Sequence, residues 1–197
     1  CNMPGAFSAE LMAQQGFDAI TVDMQHGLMG YDVAVAMLQA ISTTDAVPVV
    51  RASWNDPVSI MRALDAGAYA IICPMINNRA ECERFVQTCK YPPDGFRSAG
   101  PVRAIVYGGK DYVQHANATI ATLAMIETAE ALHNLDEILG VPGLDAIYVG
   151  PNDLAISMGG EQRMDYTNYQ VEWLETIVAA CKRHNIIPGI HAGSPEY

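Results

Sequence analysis

Short, nearly uniform apolar runs recur along this chain, and longer stretches of helical period separate them. That alternation limits the possible folds more than any other feature. The strand-like runs are Ala19–Asp23, Val47–Arg51, Tyr69–Cys73, Thr122–Ile126, Ala146–Val149 and Ile187–His191. The helical patterns cover Ser8–Gln15, Tyr31–Ser42, Pro57–Asp65, Arg79–Lys90, Ala129–Leu139 and Asn168–His184. Runs that are apolar at successive positions suit strands covered on both faces, the condition of a parallel sheet flanked by helices. Alternating units of this length therefore predict an α/β fold with a parallel sheet. The punctuation agrees. Gly16, Gly67 and Gly140 follow helical patterns where a left-handed closing residue is wanted. Asn55-Asp56-Pro57 supplies capping side chains ahead of a proline suited to a first helical turn.

Two arrangements compete, the open doubly wound sheet and the (β/α)8 barrel. No GxGxxG or GxxxxGK[ST] follows a strand, so a nucleotide-binding sheet has no support. Gly108-Gly109-Lys110 lacks the spacing of a phosphate loop and reads as an ordinary turn. With 197 residues the chain can bury one sizeable core, so residues 1–197 are expected to form a single domain.

The residues just past each strand carry the chemistry. They are Asp23 and His26, then Arg51, Pro74, Glu127 and the segment Gly150-Pro151-Asn152-Asp153. In a barrel these positions share the C-terminal rim, where catalytic groups collect. Each has an ordinary explanation alone: a surface arginine, a structural histidine, a first-turn acid favoured by the helix dipole at Glu127, a cap at Asp153. Taken together, a base, a cation and two well-separated carboxylates point to a metal-assisted site. Two carboxylates from different strands suit a hard divalent cation such as Mg²⁺ or Mn²⁺, with water or substrate oxygens completing its coordination. A cation and an arginine stabilise an enolate, and a histidine can move the proton. The chemistry indicated is cleavage or formation of a bond next to a carbonyl.

Charge and composition exclude other classes. The net charge is −11, with 22 acidic against 11 basic residues, so there is no basic surface for nucleic acid or an anionic membrane. No apolar stretch approaches the roughly 20 residues of a membrane span. The five cysteines form no CxxC pair, and Cys73 and Cys181 lie within apolar patterns, as expected of a reduced cytoplasmic protein.

Four segments, "GFDAITVDMQHG", "VPVVRASWNDP", "AMIETAEAL" and "VGPNDLAISMG", with "YPPDGFRSAG" between them, resemble the HpcH/HpaI family of class II pyruvate aldolases, typified by 4-hydroxy-2-oxoheptanedioate aldolase. The likeness runs in order over essentially the whole chain. It implies a (β/α)8 TIM barrel of the phosphoenolpyruvate/pyruvate type. It also implies reversible cleavage of a 4-hydroxy-2-oxo acid to pyruvate and an aldehyde through a metal-bound pyruvate enolate, in the catabolism of aromatic compounds. By the same resemblance, Glu127 and Asp153 are the ligands of Mg²⁺, Mn²⁺ or Co²⁺. His26 is the base, Asp23 its motif partner, and Arg51 the group that stabilises the enolate. Asp65 matches an acid that raises the basicity of the histidine. Gly150, Asn152 and Asp153 belong to the segment that holds the pyruvate carboxylate. No lysine Schiff base is implied, and none of Lys90, Lys110 and Lys182 ends a strand.

Two positions depart from the family pattern. Gln25 stands where a glutamate precedes the histidine, and Met125 stands where a substrate-contacting glutamine is usual. Six strands are found where a barrel of about 250 residues has eight, so the barrel is expected to be incomplete at both ends, lacking its first strand and last β/α unit. Family members form homo-oligomers, often hexamers, by exchanging the last helix. Two alternatives remain open. One is a citrate-lyase-like or malyl-coenzyme-A-type lyase, for which Arg97 and Arg103 are weighed as anion-binding groups against a reading as surface charges. The other is a non-catalytic barrel, which only Gln25 and Met125 favour.

Overall fold

The computed structural model describes residues 1–160 and 168–193. The first half of the chain runs α1 (Ala6–Ala13), β1 (Ala19–Asp23), α2 (Tyr31–Ile41), β2 (Val47–Arg51), α3 (Pro57–Asp65), β3 (Ala70–Cys73) and α4 (Arg79–Cys89). There follow α5 (Ala104–Gly108), α6 (Tyr112–Thr119), β4 (Ala121–Ile126), α7 (Ala129–His133) and α8 (Leu135–Leu139). The chain continues through β5 (Ala146–Val149), α9 (Pro151–Ser157), α10 (Asn168–His184) and β6 (Ile187–Ile190). Strands and helices thus alternate as an α/β fold, and the six strands expected from the sequence are all present. Two units separate within it: Cys1–Cys73 with Phe85–Thr122, and Pro74–Arg84 with Leu123–Tyr197.

In the first unit β2 lies between β1 and β3, parallel to both. Its register sets Ala19 opposite Val47 and Asp23 opposite Arg51, while Arg51 also faces Ile72 of β3. Every residue of β3 is buried, as the uniform apolar run required. In the second unit β5 lies between β4 and β6, again parallel, with Ile126 opposite Val149 and Val149 opposite Ile190.

α3 shows how local chemistry fixes an element. Asp56 caps it, accepting the Ser59 N–H at 2.8 Å, and Pro57 occupies the first turn. Ile60, Ala63 and Leu64, at helical spacing, form its buried face. Gly67 closes the turn with φ 104°, and a Cβ there would lie 2.6 Å from an Arg103 terminal nitrogen, so two constraints select glycine.

The expected helix over Ala129–Leu139 is instead two short helices that meet at Asn134. Helices α5, α6 and α9 were not expected. Val106 and Tyr107 of α5 are exposed, and α6 ("YVQHANAT") buries only Tyr112 and Ala116, so neither carries a long enough apolar periodicity to mark a helix.

Arg97 and Arg103 are not surface charges. The Arg97 side chain is fully buried; one terminal nitrogen donates to Asp65 Oδ1 at 2.7 Å and the other to the Tyr112 hydroxyl at 3.1 Å. The guanidinium also stacks over the Tyr91 ring, 4.5 Å from its centroid. Burial by itself would favour loss of its proton, but Asp65 and Tyr112 more than offset this and hold the group charged. Arg103 donates to Ala66 O at 2.6 Å and to the Leu38 carbonyl and Ser42 hydroxyl at 3.4 and 3.1 Å. It thereby satisfies carbonyls at the C-terminal ends of α3 and α2. Lys90 does the same beyond α6, donating to Asn117 O at 2.9 Å and Ile120 O at 2.7 Å. Cys73, Cys82, Cys89 and Cys181 are buried and form no disulfide among the described residues. No helix among the described residues is long and apolar enough to cross a membrane.

The Arg97 assignment is testable. Arg97→Met keeps the bulk and strands Asp65, and denaturant unfolding should show a loss near the lower end of the roughly 3–5 kcal/mol seen when a buried pair is broken. A loss under about 1 kcal/mol, the scale of a surface pair, would return Arg97 to the surface reading.

Candidate active site

In the first unit, the parallel register puts Asp23 and Arg51 side by side at the ends of β1 and β2. Both are buried, at 3% and 8% exposure, which neither ion could sustain alone. They meet in a two-pronged contact: Arg51 Nε donates to Asp23 Oδ1 at 2.8 Å, and a terminal nitrogen donates to Oδ2. Asp23 has a second task. Its Oδ1 accepts the Gln25 and His26 amides at 3.1 and 3.3 Å, folding the chain into a tight turn just past the strand. Gly27 closes that turn by donating to Asp23 O, and a Cβ there would lie 2.1 Å from that oxygen. The turn leaves the His26 side chain exposed, with no side-chain hydrogen bond among the described residues. Gln25 Oε1 is buried without a hydrogen-bond partner.

Burial pushes the Asp23 carboxyl up. The Arg51 guanidinium and the two turn amides outweigh that and hold it below the ordinary value of 3.8.

In the second unit, Glu127 and Gly150 emerge side by side from β4 and β5, with the Gly150 amide donating to Ile126 O at 3.2 Å. Glu127 is 2% exposed. Its Oε1 accepts the Met75 N–H at 2.7 Å, and a Cβ at Gly150 would lie 2.6 Å from its Oε2. The missing side chain therefore leaves room beside the carboxylate. Met125 is buried, with its methyl beside the same glycine. Asn152 and Asp153 occupy the first turn of α9, where N–H groups have no partner inside the helix. Asp153 is exposed.

Glu127 and Asp153 carry carboxylate oxygens, the donor type a hard divalent cation takes, and among the described residues no three of His, Cys, Asp and Glu gather into a cluster that could hold a metal. Two protein oxygens leave positions for water and substrate, as Mg²⁺ and Mn²⁺ accept.

Asp65 ends α3. α3 begins after the end of β2 and runs back toward the start of β3, so Asp65 lies at the opposite end of the strands from His26. Its carboxylate is bonded to Arg97, and among the described residues nothing joins it to His26. Met75 and Asn77, by contrast, were not anticipated, although their loop holds Glu127 in place. Their only sequence signal was Pro74 and the Asn77-Asn78 pair directly after β3.

The depressed Asp23 pKa has a definite sign. The native state binds fewer protons at this group than the unfolded chain, so its contribution is complete above the ordinary value of 3.8 and is lost as pH falls through the native pKa. Asp23→Asn should therefore flatten the acid limb of a stability-against-pH curve and leave the protein less stable at pH 7, because Arg51 loses its counter-charge. An unchanged acid limb would show that the pair contributes no pH dependence.

A family model described as HpcH/HpaI aldolase/citrate lyase matches residues 4–192. A hydroxypyruvate/pyruvate aldolase of Rhizorhabdus wittichii is 44% identical over 170 residues, covering 86% of this chain and 68% of that protein. A 4-hydroxy-2-oxo-heptane-1,7-dioate aldolase of Escherichia coli is 36% identical over 192 residues, covering 96% and 73%. Among solved structures, an HpcH/HpaI aldolase/citrate lyase family protein from Burkholderia cenocepacia superposes with a TM-score of 0.90 at 32% identity, over 98% of this chain and 77% of that one. With a match across almost its whole length, this chain belongs to the HpcH/HpaI aldolase/citrate lyase family.

Proposed function

We propose that the protein is a class II aldolase that reversibly cleaves a 4-hydroxy-2-oxo acid into pyruvate and an aldehyde. The observation that carries this is a buried carboxylate, Glu127, held at a strand end against a glycine, in a chain whose relatives are named as a hydroxypyruvate/pyruvate aldolase and an aldolase of a 4-hydroxy-2-oxo acid. The accompanying fold proposal is a (β/α)8 barrel in a single domain, in a cytoplasmic homo-oligomer. Exposed Val102, Ile105, Val106 and Tyr107, in and beside α5, offer apolar surface that a second copy would cover.

Glu127 and Asp153 would hold a divalent cation, Mg²⁺, Mn²⁺ or Co²⁺. Bound there, it supplies positive charge for the oxygen that becomes an enolate. Arg51 carries the enolate-stabilising role, and within the first unit its pairing with Asp23 fixes where the guanidinium sits. His26 takes the proton of the 4-hydroxyl, since an exposed imidazole can both accept and return one. Loss of that proton lets the aldehyde carbonyl form as the C3–C4 bond breaks, and the bonding pair passes to C3 of the pyruvate enolate. In the synthetic direction the enolate carbon attacks the aldehyde and His26 returns the proton to the new hydroxyl. The amides of Asn152 and Asp153 would receive the pyruvate carboxylate, and the bare Cα of Gly150 keeps that approach open. Met125 offers a thioether where an amide could donate hydrogen bonds, so any substrate hydrogen bond there is lost.

The family description also names citrate lyase, which keeps a thioester lyase in view. Against it, the two arginines weighed for a coenzyme A phosphate are engaged inside the first unit.

The test is proton–deuterium exchange at the pyruvate methyl, followed by NMR in D₂O with and without Mg²⁺ or Mn²⁺. Exchange should require the metal, vanish in Glu127→Ala and fall about a hundredfold or more in Arg51→Ala. Running hydroxypyruvate in parallel asks whether the donor range matches the Rhizorhabdus relative. A metal-loaded protein that exchanges neither donor, yet condenses acetyl-coenzyme A with glyoxylate, would replace the aldolase with a lyase.

A further inference from the structure

Glu127 sits in a closed ring of hydrogen bonds that no part of the proposed mechanism uses. Its Oε1 accepts the Met75 amide at 2.7 Å. Met75 O accepts from Asn77 Nδ2 at 3.1 Å, and Asn77 Oδ1 accepts from the Thr128 hydroxyl. Thr128 is the next residue after Glu127, so the peptide bond between them closes the circuit. The carboxylate is thereby referenced to its own backbone through a loop 52 residues away in sequence.

Each link in this ring is itself fixed. Met75 has φ 57°, a left-handed conformation that a side chain other than glycine adopts at a cost. The surroundings must hold it there, and the Asn77 side chain on Met75 O does so. The Thr128 hydroxyl also accepts the Ala131 N–H at 3.0 Å as the cap of α7, which orients its own proton toward Asn77. The main chain of Asn77 is anchored independently: its N–H donates to Glu81 Oε2 at 2.7 Å, and its carbonyl accepts from Asn134 at 2.9 Å. The Glu81 N–H in turn donates to Asn78 Oδ1 at 3.0 Å, a side-chain cap at the start of α4.

We infer that Asn77 is a positioning residue for the divalent cation. Acting through Met75 and Thr128, it fixes the direction in which Glu127 presents its carboxylate. This rests on Glu127 being a metal ligand, as proposed above. A carboxylate with a terminal torsion free to swing loses orientational entropy when it captures a cation, whereas one already held by an amide does not. Partners that orient a metal ligand in this way typically contribute tenfold to a hundredfold in metal affinity. Because the main chain of Asn77 is anchored without its side chain, Asn77→Ala should keep residue 77 in place while opening the ring at Met75 O and at the Thr128 hydroxyl.

The experiment is Mn²⁺ binding to metal-free protein, read from the electron paramagnetic resonance signal of free Mn²⁺, alongside thermal unfolding in EDTA. Wild type should bind one Mn²⁺ per chain. Asn77→Ala should weaken binding about tenfold or more, with an unfolding temperature in EDTA close to wild type. Thr128→Val should weaken binding similarly, and Thr128→Ser, which restores the hydroxyl, should recover it. Wild-type affinity in Asn77→Ala, or an affinity loss that only tracks a fall in unfolding temperature, would overturn the positioning role while leaving the metal site intact. If wild type itself binds no Mn²⁺, the metal-ligand reading of Glu127 fails, and this inference with it.

Discussion

Because β1 and β2 run parallel with Asp23 opposite Arg51, two ions that could not be buried separately are buried together. The rest of the first unit's strand-end chemistry follows from that pairing. Two parallel hydrogen bonds fix the guanidinium plane, and the same carboxylate collects the amides of the next turn. That turn decides where His26 stands. A register shift of one residue would put Arg51 opposite an apolar position and leave both charges buried without each other. In a strand apolar on both faces, the charge pair is what specifies the register.

The two buried strand-end acids are accommodated in different ways, and the difference bears on what each can do. Asp23 faces a guanidinium, which offsets its desolvation by matching its charge. Glu127 accepts a backbone amide, which orients the carboxylate. The first arrangement ties an acid to the neighbouring strand, and the second ties one to the loop after β3. The supporting role proposed for Asp23 and the ligand role proposed for Glu127 follow that division, although both residues follow strands and both are buried.

The strand ends were legible because the sequence marks them twice, by the end of an apolar run and by the first charged side chain after it. Ala19–Asp23, Val47–Arg51 and Ala146–Val149 have the predicted limits, and so does α3, where Asp56 and Pro57 fix the start. The features not anticipated depend on relations between distant residues. Nothing local to "CPMINN" says that Met75 adopts a left-handed backbone or that its amide meets Glu127. Nothing local to Arg97 says that Asp65 and Tyr112 will enclose it, since an arginine in a loop usually faces water. α3 must run back to start the next parallel strand, and its last residue, Asp65, meets Arg97 at the end of that return.

The two departures from the family pattern lie beside residues whose positions are well determined. Gln25 precedes His26 in a turn fixed by Asp23, and Met125 stands two residues before Glu127 on a strand fixed by β5. In each case a side chain that could carry charge or donate two hydrogen bonds is replaced by one that cannot. Neither change alters the backbone that presents the neighbouring group. Met125 is buried against Gly150, so the space a longer polar side chain would probe is filled by a thioether. Gln25 keeps a buried acceptor oxygen without a protein hydrogen bond, at a cost of about 1–3 kcal/mol for such a group if water does not reach it. Under the proposed function, the groups assigned to the enolate are retained, and the two changed positions are ones whose assigned partners are a substrate or the base. On this chain, then, the enolate-forming step should resemble that of its relatives, and divergence should appear in the choice of aldehyde.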